Sequence, residues 1–159
     1  MAAPRITALL GVEAVLSHGM PVLQLPREQV PAAARALRDE HGYDMLLDVT
    51  AVDWLGREGG APRFEVVWHF FASRDCTRVR VKTRVGADDP TVASLTGLYG
   101  SAAFMERECH EMFGVRFEGN ADLRPILLYE GFEGHPLRKD YDKHREQPLV
   151  AYRDGAPGA

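Results

Sequence analysis

The chain has 159 residues, 45% hydrophobic and 26% charged, with a net charge of −4 and a pI near 5.9. That length holds one domain with a real core, and the acidic balance disfavours a general nucleic-acid binder, which needs a basic excess. No apolar run approaches the roughly 20 residues of a membrane span, and the two cysteines, Cys76 and Cys109, match no metal or redox spacing and suit the free thiols of a cytosolic chain.

The first 16 residues carry one arginine and a short apolar patch broken by Gly11 and Glu13, which is not the pattern of a signal peptide. Ile6, Leu9 and Leu10 predict a short helix ending at Gly11. Residues 12–17 and 20–25 predict two strands, with a hairpin turn at His18-Gly19. Residues 26–40 predict a helix, because Val30, Ala34 and Leu37 share a face while Arg35, Arg38 and Asp39 lie elsewhere. Pro31 falls in its first turns, and Gly42 stops it. Residues 45–52 predict an apolar strand interrupted by Asp48, and the glycines of 56–62 predict a turn. Residues 63–71 place Phe64, Val66, Trp68 and Phe70 on one face. Residues 78–85 set Val79, Val81, Thr83 and Val85 against Arg78, Arg80, Lys82 and Arg84. These three strands read as an antiparallel meander.

Asp89-Pro90 reads as a cap and first turn for a short helix through Val92, Leu95 and Leu98 to Gly100. Ser101 then reads as the cap of a helix over 102–113, with Met105, Cys109 and Met112 as its apolar stripe and Gly114 as its stop. Beyond Val115 the chain predicts a short strand, turns and one helical turn near 122–127. Residues 154–159 read as disordered. The fold class expected is α+β. A single domain over residues 1–130 packs helices on a small, mostly antiparallel or mixed sheet. An irregular extended C-terminal arm occupies residues 131–159.

Few constellations carry chemistry. Glu106 with His110, and Arg107 with Glu111, stand at i, i+4 on the predicted helix and read as surface pairs worth a few tenths of a kcal/mol. A metal site needs at least three protein ligands, and His135 and His144 are distant in sequence. Glu106 and Glu108 face different sides of a helix, so they do not form a shared acid–base pair. Cys109 on the apolar stripe reads as an inert buried thiol. The basic row of Arg78 to Arg84 lacks the interleaved aromatics of a single-strand binder and reads as a strand face toward acidic neighbours. A structural subunit is therefore favoured over a stand-alone enzyme or a nucleic-acid module.

The run Glu106-Arg107-Glu108, an acidic residue before Phe113-Gly114, then LRPILL and EGHPLRKDY, resembles the C subunit of the bacterial NADH–quinone oxidoreductase, respiratory complex I. The likeness extends upstream through LLDVTAVDW, RFEVVWHF and RVRVK and covers roughly residues 10–145. The family pattern differs at Tyr99 (Trp), Glu111 (Asp), Asn120-Ala121 (His-Pro) and Pro125 (Arg). The resemblance implies a cofactor-free, hydrophilic subunit of the peripheral arm, on the cytoplasmic face of the inner membrane and bound there only through the complex. It implies packing against the quinone-site D subunit beside the iron–sulfur subunits, with redox chemistry left to others and no flavin, cluster or catalytic metal in the chain. Energy-converting nickel–iron hydrogenases carry related subunits and are the alternative. The residues implied to meet the partner are Glu106, Arg107, Glu108, Arg124, His135, Arg138, Lys139, Asp140 and Tyr141.

The motifs also set two structural expectations. At least one of Glu106, Arg107 and Glu108 turns inward and meets an opposite charge, since an unpaired buried charge costs several kcal/mol. The arm over 131–152 lies on a partner and does not fold back on its own sheet, because Gly131, Gly134, Pro136 and Pro148 break helices and no strand pattern replaces them.

Overall fold

The structure, a computed structural model, describes residues 6–145 and 147. It opens on a two-residue ladder of β1 (Ala8–Leu9) with β2 (Val12–Glu13), where the sequence predicts a helix. The turn decides this: Leu10 and Gly11 have φ of 49° and 78°, successive positive values that suit a tight hairpin and no helix. The strand expected over 12–17 is divided. Its second half, β3 (Val15–Ser17), pairs with β4 (Met20–Gln24) around the turn at His18-Gly19.

A short 3-10 turn at Arg27–Gln29 leads into α1 (Val30–Asp39), which buries Val30, Ala33, Ala34 and Leu37. The meander is as expected: β5 (Met45–Asp53), β6 (Phe64–Ala72) and β7 (Thr77–Val85) pair antiparallel in that order. The register slips between Leu46 and Asp48, with Leu47 left over as a bulge just before the residue that interrupts the apolar run. Strand β4 joins the far side of β7 in parallel, with Val22 opposite Arg80, so the five-stranded sheet is mixed, in the order β3-β4-β7-β6-β5.

Residues 91–99 do not form the expected helix. Thr91–Ala93 is a strand, β8, and Leu98 and Tyr99 close a single turn on the Leu95 carbonyl. Ser101 precedes α2 (Ala102–Phe113) but does not cap it; its hydroxyl donates to the Leu46 carbonyl at 2.9 Å. β9 (Arg116–Glu118) then pairs with β8 in parallel, Val92 opposite Phe117. Burying that pair outweighs a three-residue helical pattern, since β-branched Thr91 and Val92 fit a ladder. The turn expected at 122–127 is irregular backbone.

Phe64, Val66, Trp68, Phe70, Val79 and Val81 point to one side of the sheet and join α1, Tyr43, Tyr99, Cys109 and Phe117 in one core. Each large side chain buried there contributes about 1.5–3 kcal/mol. Tyr99, where the family pattern has Trp, fits by two contacts. Its ring lies 5.4 Å from that of Phe70, and its hydroxyl donates to the Tyr43 carbonyl at 2.9 Å. Burial pushes that phenol up to about 12. The α+β reading stands, with helices on a small mixed sheet and an irregular arm after it.

Candidate functional site

Helix α2 organises the segments C-terminal to it. Glu106 is fully buried. One carboxylate oxygen accepts the Leu95 N–H at 2.7 Å; the other accepts the Ser94 hydroxyl at 2.7 Å and the Asn120 amide at 2.9 Å. Glu106 turns inward as expected, but among the described residues no opposite charge meets it; the expected ion pair falls to its neighbour Arg107, which lies 3.8 Å from Asp122. Three neutral donors take the place of a cation, and together they tie the exit of β8 and the turn after β9 to α2. Burial pushes the Glu106 carboxyl above its ordinary value, against the pull of the donors. Asn120, a departure from the family pattern, supplies one of them.

Neither expected i, i+4 pair forms. His110 donates from Nδ1 to the Val115 carbonyl at 2.9 Å. Arg107 reaches the carbonyls of Arg124 and Pro125 at 2.9 and 3.0 Å, with Asp122 3.8 Å away. Glu111 is 6% exposed and accepts three consecutive backbone N–H groups, from Ile126, Leu127 and Leu128, at 3.0, 2.8 and 3.3 Å. This is why 122–127 is not helical: its amides are drawn onto a side chain of α2. Glu108 and Arg124 are exposed, and Arg124 is held by Asp122 at 2.8 Å.

The last turn of any helix leaves carbonyls without partners. Here the arm supplies them. His135 Nδ1 donates to the Glu111 carbonyl at 2.8 Å, the Leu137 N–H to that of Met112 at 3.1 Å, and Arg138 Nε to that of Phe113 at 2.5 Å. The Arg138 guanidinium lies 5.1 Å from the Phe64 ring centroid. Further along, the Lys139 N–H donates to Asp53 at 2.9 Å, and Arg63 joins Asp53 (2.7 and 2.9 Å) to Asp140 (2.8 Å). Tyr141 stacks on Phe132 at 6.1 Å. Residues 135–140 therefore do fold back on the chain's own sheet and helix, contrary to expectation. The bare carbonyls of α2 and the Asp53–Arg63 pair at the ends of β5 and β6 draw them there. The expectation also covered residues 146 and 148–152, which lie outside the described residues.

Burial alone would raise the Asp53 carboxyl, but Arg63 and the backbone N–H groups of Lys139 and Leu55 outweigh it and hold it below the ordinary range. His135 and Arg138 are both shifted down, chiefly by burial. Burial drives the Cys109 thiol well up, which leaves it protonated and unreactive. On the opposite sheet face Lys82 and Arg84 meet Glu65 at 2.7 and 3.4 Å, and Arg80 donates to His69 at 2.7 Å. Among the described residues, no group of three or more His, Cys, Asp or Glu is placed to hold a metal ion.

Gly114 is the tightest point of the arm contact. Its φ is +74°, and a Cβ there would collide with the Arg138 guanidinium and the His135 ring. Gly114→Ala is expected to cost about 1–2 kcal/mol from the left-handed backbone alone. It should also loosen the arm, read as faster hydrogen exchange at Leu137 and Arg138. An unchanged melting temperature and exchange rate would refute this.

A family model for the 30 kDa subunit of respiratory-chain NADH dehydrogenase matches residues 23–147. The chain is 42% identical over 129 residues to the fused C/D subunit of the NADH-quinone oxidoreductase of Bdellovibrio bacteriovorus, covering 81% of this chain and 22% of that protein. It is 39% identical over 140 residues to the C 2 subunit of the NADH-quinone oxidoreductase of Rhizobium meliloti, covering 87% of this chain and 71% of that one. Among solved structures, a trypsin-resistant fragment (1-134) of Nqo5 superposes with a TM-score of 0.64 at 32% identity, over 71% of this chain and 90% of the fragment. A chain of an archaeal respiratory membrane complex, the membrane-bound sulfane sulfur reductase, superposes with a TM-score of 0.73 at 27% identity, over 84% of this chain and 78% of that one. No helix among the described residues is long and apolar enough to cross a membrane. With about four-fifths of its length matched, from the second half of β4 to the end of the arm contact, the chain belongs to the family of the respiratory-chain NADH dehydrogenase 30 kDa subunit.

Proposed function

We propose that the chain is a subunit of the peripheral arm of an NADH–quinone oxidoreductase, that it performs no redox step, and that it braces the quinone-site D subunit. It sits beside the iron–sulfur subunits on the cytoplasmic face of the membrane, which it reaches only through the complex. The observation that carries this reading is the Bdellovibrio relative, whose name puts C and D in one protein. Fusion of two parts keeps them at high effective concentration and suits parts that bind each other. Glu106, Arg107, His135, Arg138 and Asp140 hold the chain's own segments. Of the other motif residues, Glu108, Arg124 and Lys139 are exposed and Tyr141 is half-buried, and in this reading these four meet the quinone-site partner. In this reading residues 135–140 stay folded on α2 and Asp53, and the arm meets the partner only through its exposed side chains.

The test is a tagged copy expressed in its own cells, with membranes solubilised gently and co-purifying chains identified by mass. The D subunit and the NADH-oxidising subunits are expected in fixed ratio; recovery of the tagged chain alone would sink the proposal. A second reading, a related membrane redox complex that does not use NADH, is favoured by the likeness to the sulfane sulfur reductase chain. Nickel in the purified complex, or the absence of NADH-oxidising subunits beside the quinone-site partner, would select it.

A further inference from the structure

Both helices pack on the side of the five-stranded sheet to which Phe64, Val66, Trp68 and Phe70 point. Among the described residues the opposite face carries no helix. Register sets its side chains out in rows, because directly paired residues share a face. Val15, Val22, Arg80, His69 and Asp48 stand opposite one another across all five strands. Arg78, Phe71 and Met45 form a neighbouring row across β7, β6 and β5. Toward the other end of β7 the charges are settled within the chain. Glu65 takes Lys82 and Arg84, and Arg84 also lies 4.1 Å from the Trp54 ring and donates to the Gly59 carbonyl at 2.6 Å. Arg78 and Arg80 differ: among the described residues neither forms an ion pair with a carboxylate, Arg78 resting 5.8 Å from the Phe71 ring and Arg80 donating to His69 Nε2 at 2.7 Å. Burial, and then Arg80 itself, hold the His69 ring below its ordinary value, so it accepts that bond without bringing a charge. Asp48, in the same row, faces His69 Nδ1 at 3.4 Å.

A chain of net charge −4 thus presents, on one open sheet face, a basic row with two arginines left over. Apolar side chains frame them. Val15 is 71% and Met45 46% exposed, and Val22 and Phe71 are half-buried. Arginine beside aromatic and methionine side chains is the composition of a protein interface. The charge decides what fits. An arginine desolvated without an acid destabilises a contact, which disfavours an uncharged or basic partner. A second copy in a symmetric contact would set Arg78 and Arg80 against their own kind. Alternation puts these two about 6–7 Å apart along β7, a spacing matched by carboxylates two apart on a strand or four apart on a helix. We propose that this face binds an acidic segment of a neighbouring subunit of the complex, which crosses the strands with two carboxylates on Arg78 and Arg80 and apolar side chains on Val15, Phe71 and Met45. This rests on the proposed place in the complex and adds a contact turned away from the arm, whose Arg138 lies over Phe64 on the other side of β6.

The test uses the tagged full chain in its own cells, with the photoreactive residue p-benzoylphenylalanine in place of Val15 and, separately, of Met45. The crosslinked peptide is identified by mass. It is expected to come from another subunit of the complex and to hold more Asp and Glu than Lys and Arg. Arg78→Glu together with Arg80→Glu should lower the crosslink yield at least about tenfold, and Arg78→Glu alone by less. The melting temperature of the purified Arg78→Glu chain should not move, since Arg78 is exposed. Arg35→Glu, the same change of charge at an exposed site on α1, should crosslink like the parent chain. An undiminished yield in the double variant, an equal loss in Arg35→Glu, or a crosslinked peptide that is basic or belongs to a second copy of this chain overturns this inference alone. So does the lack of any crosslink from both positions while the D subunit is still recovered, or binding of the purified chain to phosphatidylglycerol vesicles that Arg78→Glu abolishes. A tagged chain that brings down no other subunit overturns the parent reading with it.

Discussion

Replacing Glu106 by alanine is expected to remove about 3–5 kcal/mol of stability. The carboxylate is fully buried and serves three donors from two different segments. Alanine leaves the Leu95 N–H, the Ser94 hydroxyl and the Asn120 amide without this acceptor, each costing about 1–3 kcal/mol if it stays dry. Water entering the space would recover part of that, hence the lower part of the summed range. Urea unfolding measures it, and a loss below about 1 kcal/mol would show that the three bonds are not what holds β8 and the Asn120 turn. The charge has its own signature. Burial raises this carboxyl above its ordinary value, so the folded state binds the proton more tightly than the unfolded chain. Its contribution is greatest below the ordinary carboxylate value and declines as pH rises from there through the folded value. Glu106→Gln removes that titration, so its stability should fall less than that of the wild type over the same rise in pH.

The meander was legible because two nine-residue strands alternate over their length, Phe64 to Phe70 and Val79 to Val85, and a period of two held that long leaves little choice. Helices α1 and α2 were legible for the same reason at period 3.6. The failures are short. Residues 6–10 and 91–99 each offer few apolar positions, and what decides them is a pair of positive φ values in one case and a partner strand on the far side of α2 in the other. The site was legible as a pattern and not as a mechanism. ERE and HPLRKDY both stand out in the sequence, yet nothing in either says that His135, Leu137 and Arg138 close the last carbonyls of α2, or that Glu111 gathers three amides from the segment beyond β9. Local rules look for the partners of Glu106 and Glu111 one helical turn away. The chain finds them across the fold, because an amide or hydroxyl that must be buried anyway satisfies a carboxylate without the desolvation cost of a second charge.

That reasoning also sets the behaviour of the arm. Asp53→Asn or Asp53→Ala is expected to release residues 137–141 and to cost about 2–4 kcal/mol. Asp53 receives both the arm backbone, through the Lys139 N–H, and the Arg63 guanidinium, which in turn holds Asp140. The pair is short, nearly bidentate and buried on the Asp53 side, so screening by solvent is weak. Its pH dependence runs opposite to that of Glu106. The Asp53 carboxyl lies below its ordinary value of 3.8, so its contribution is present above that value and is lost as pH falls through the folded one. Asp140 is lowered as well, first by its bond to Arg63, so acid weakens both anchors of the clasp together. Hydrogen exchange should find the Lys139 and Tyr141 amides exchanging faster in the Asp53 variants, while the amides of β6 and β7 keep their protection. In the wild type the same two amides should lose protection in acid before the sheet does, and in Asp53→Asn that early step should be absent. If the arm amides exchange at the same rate with and without Asp53, the α2 carbonyls alone hold the arm, and the Asp53–Arg63–Asp140 chain merely decorates a contact made elsewhere.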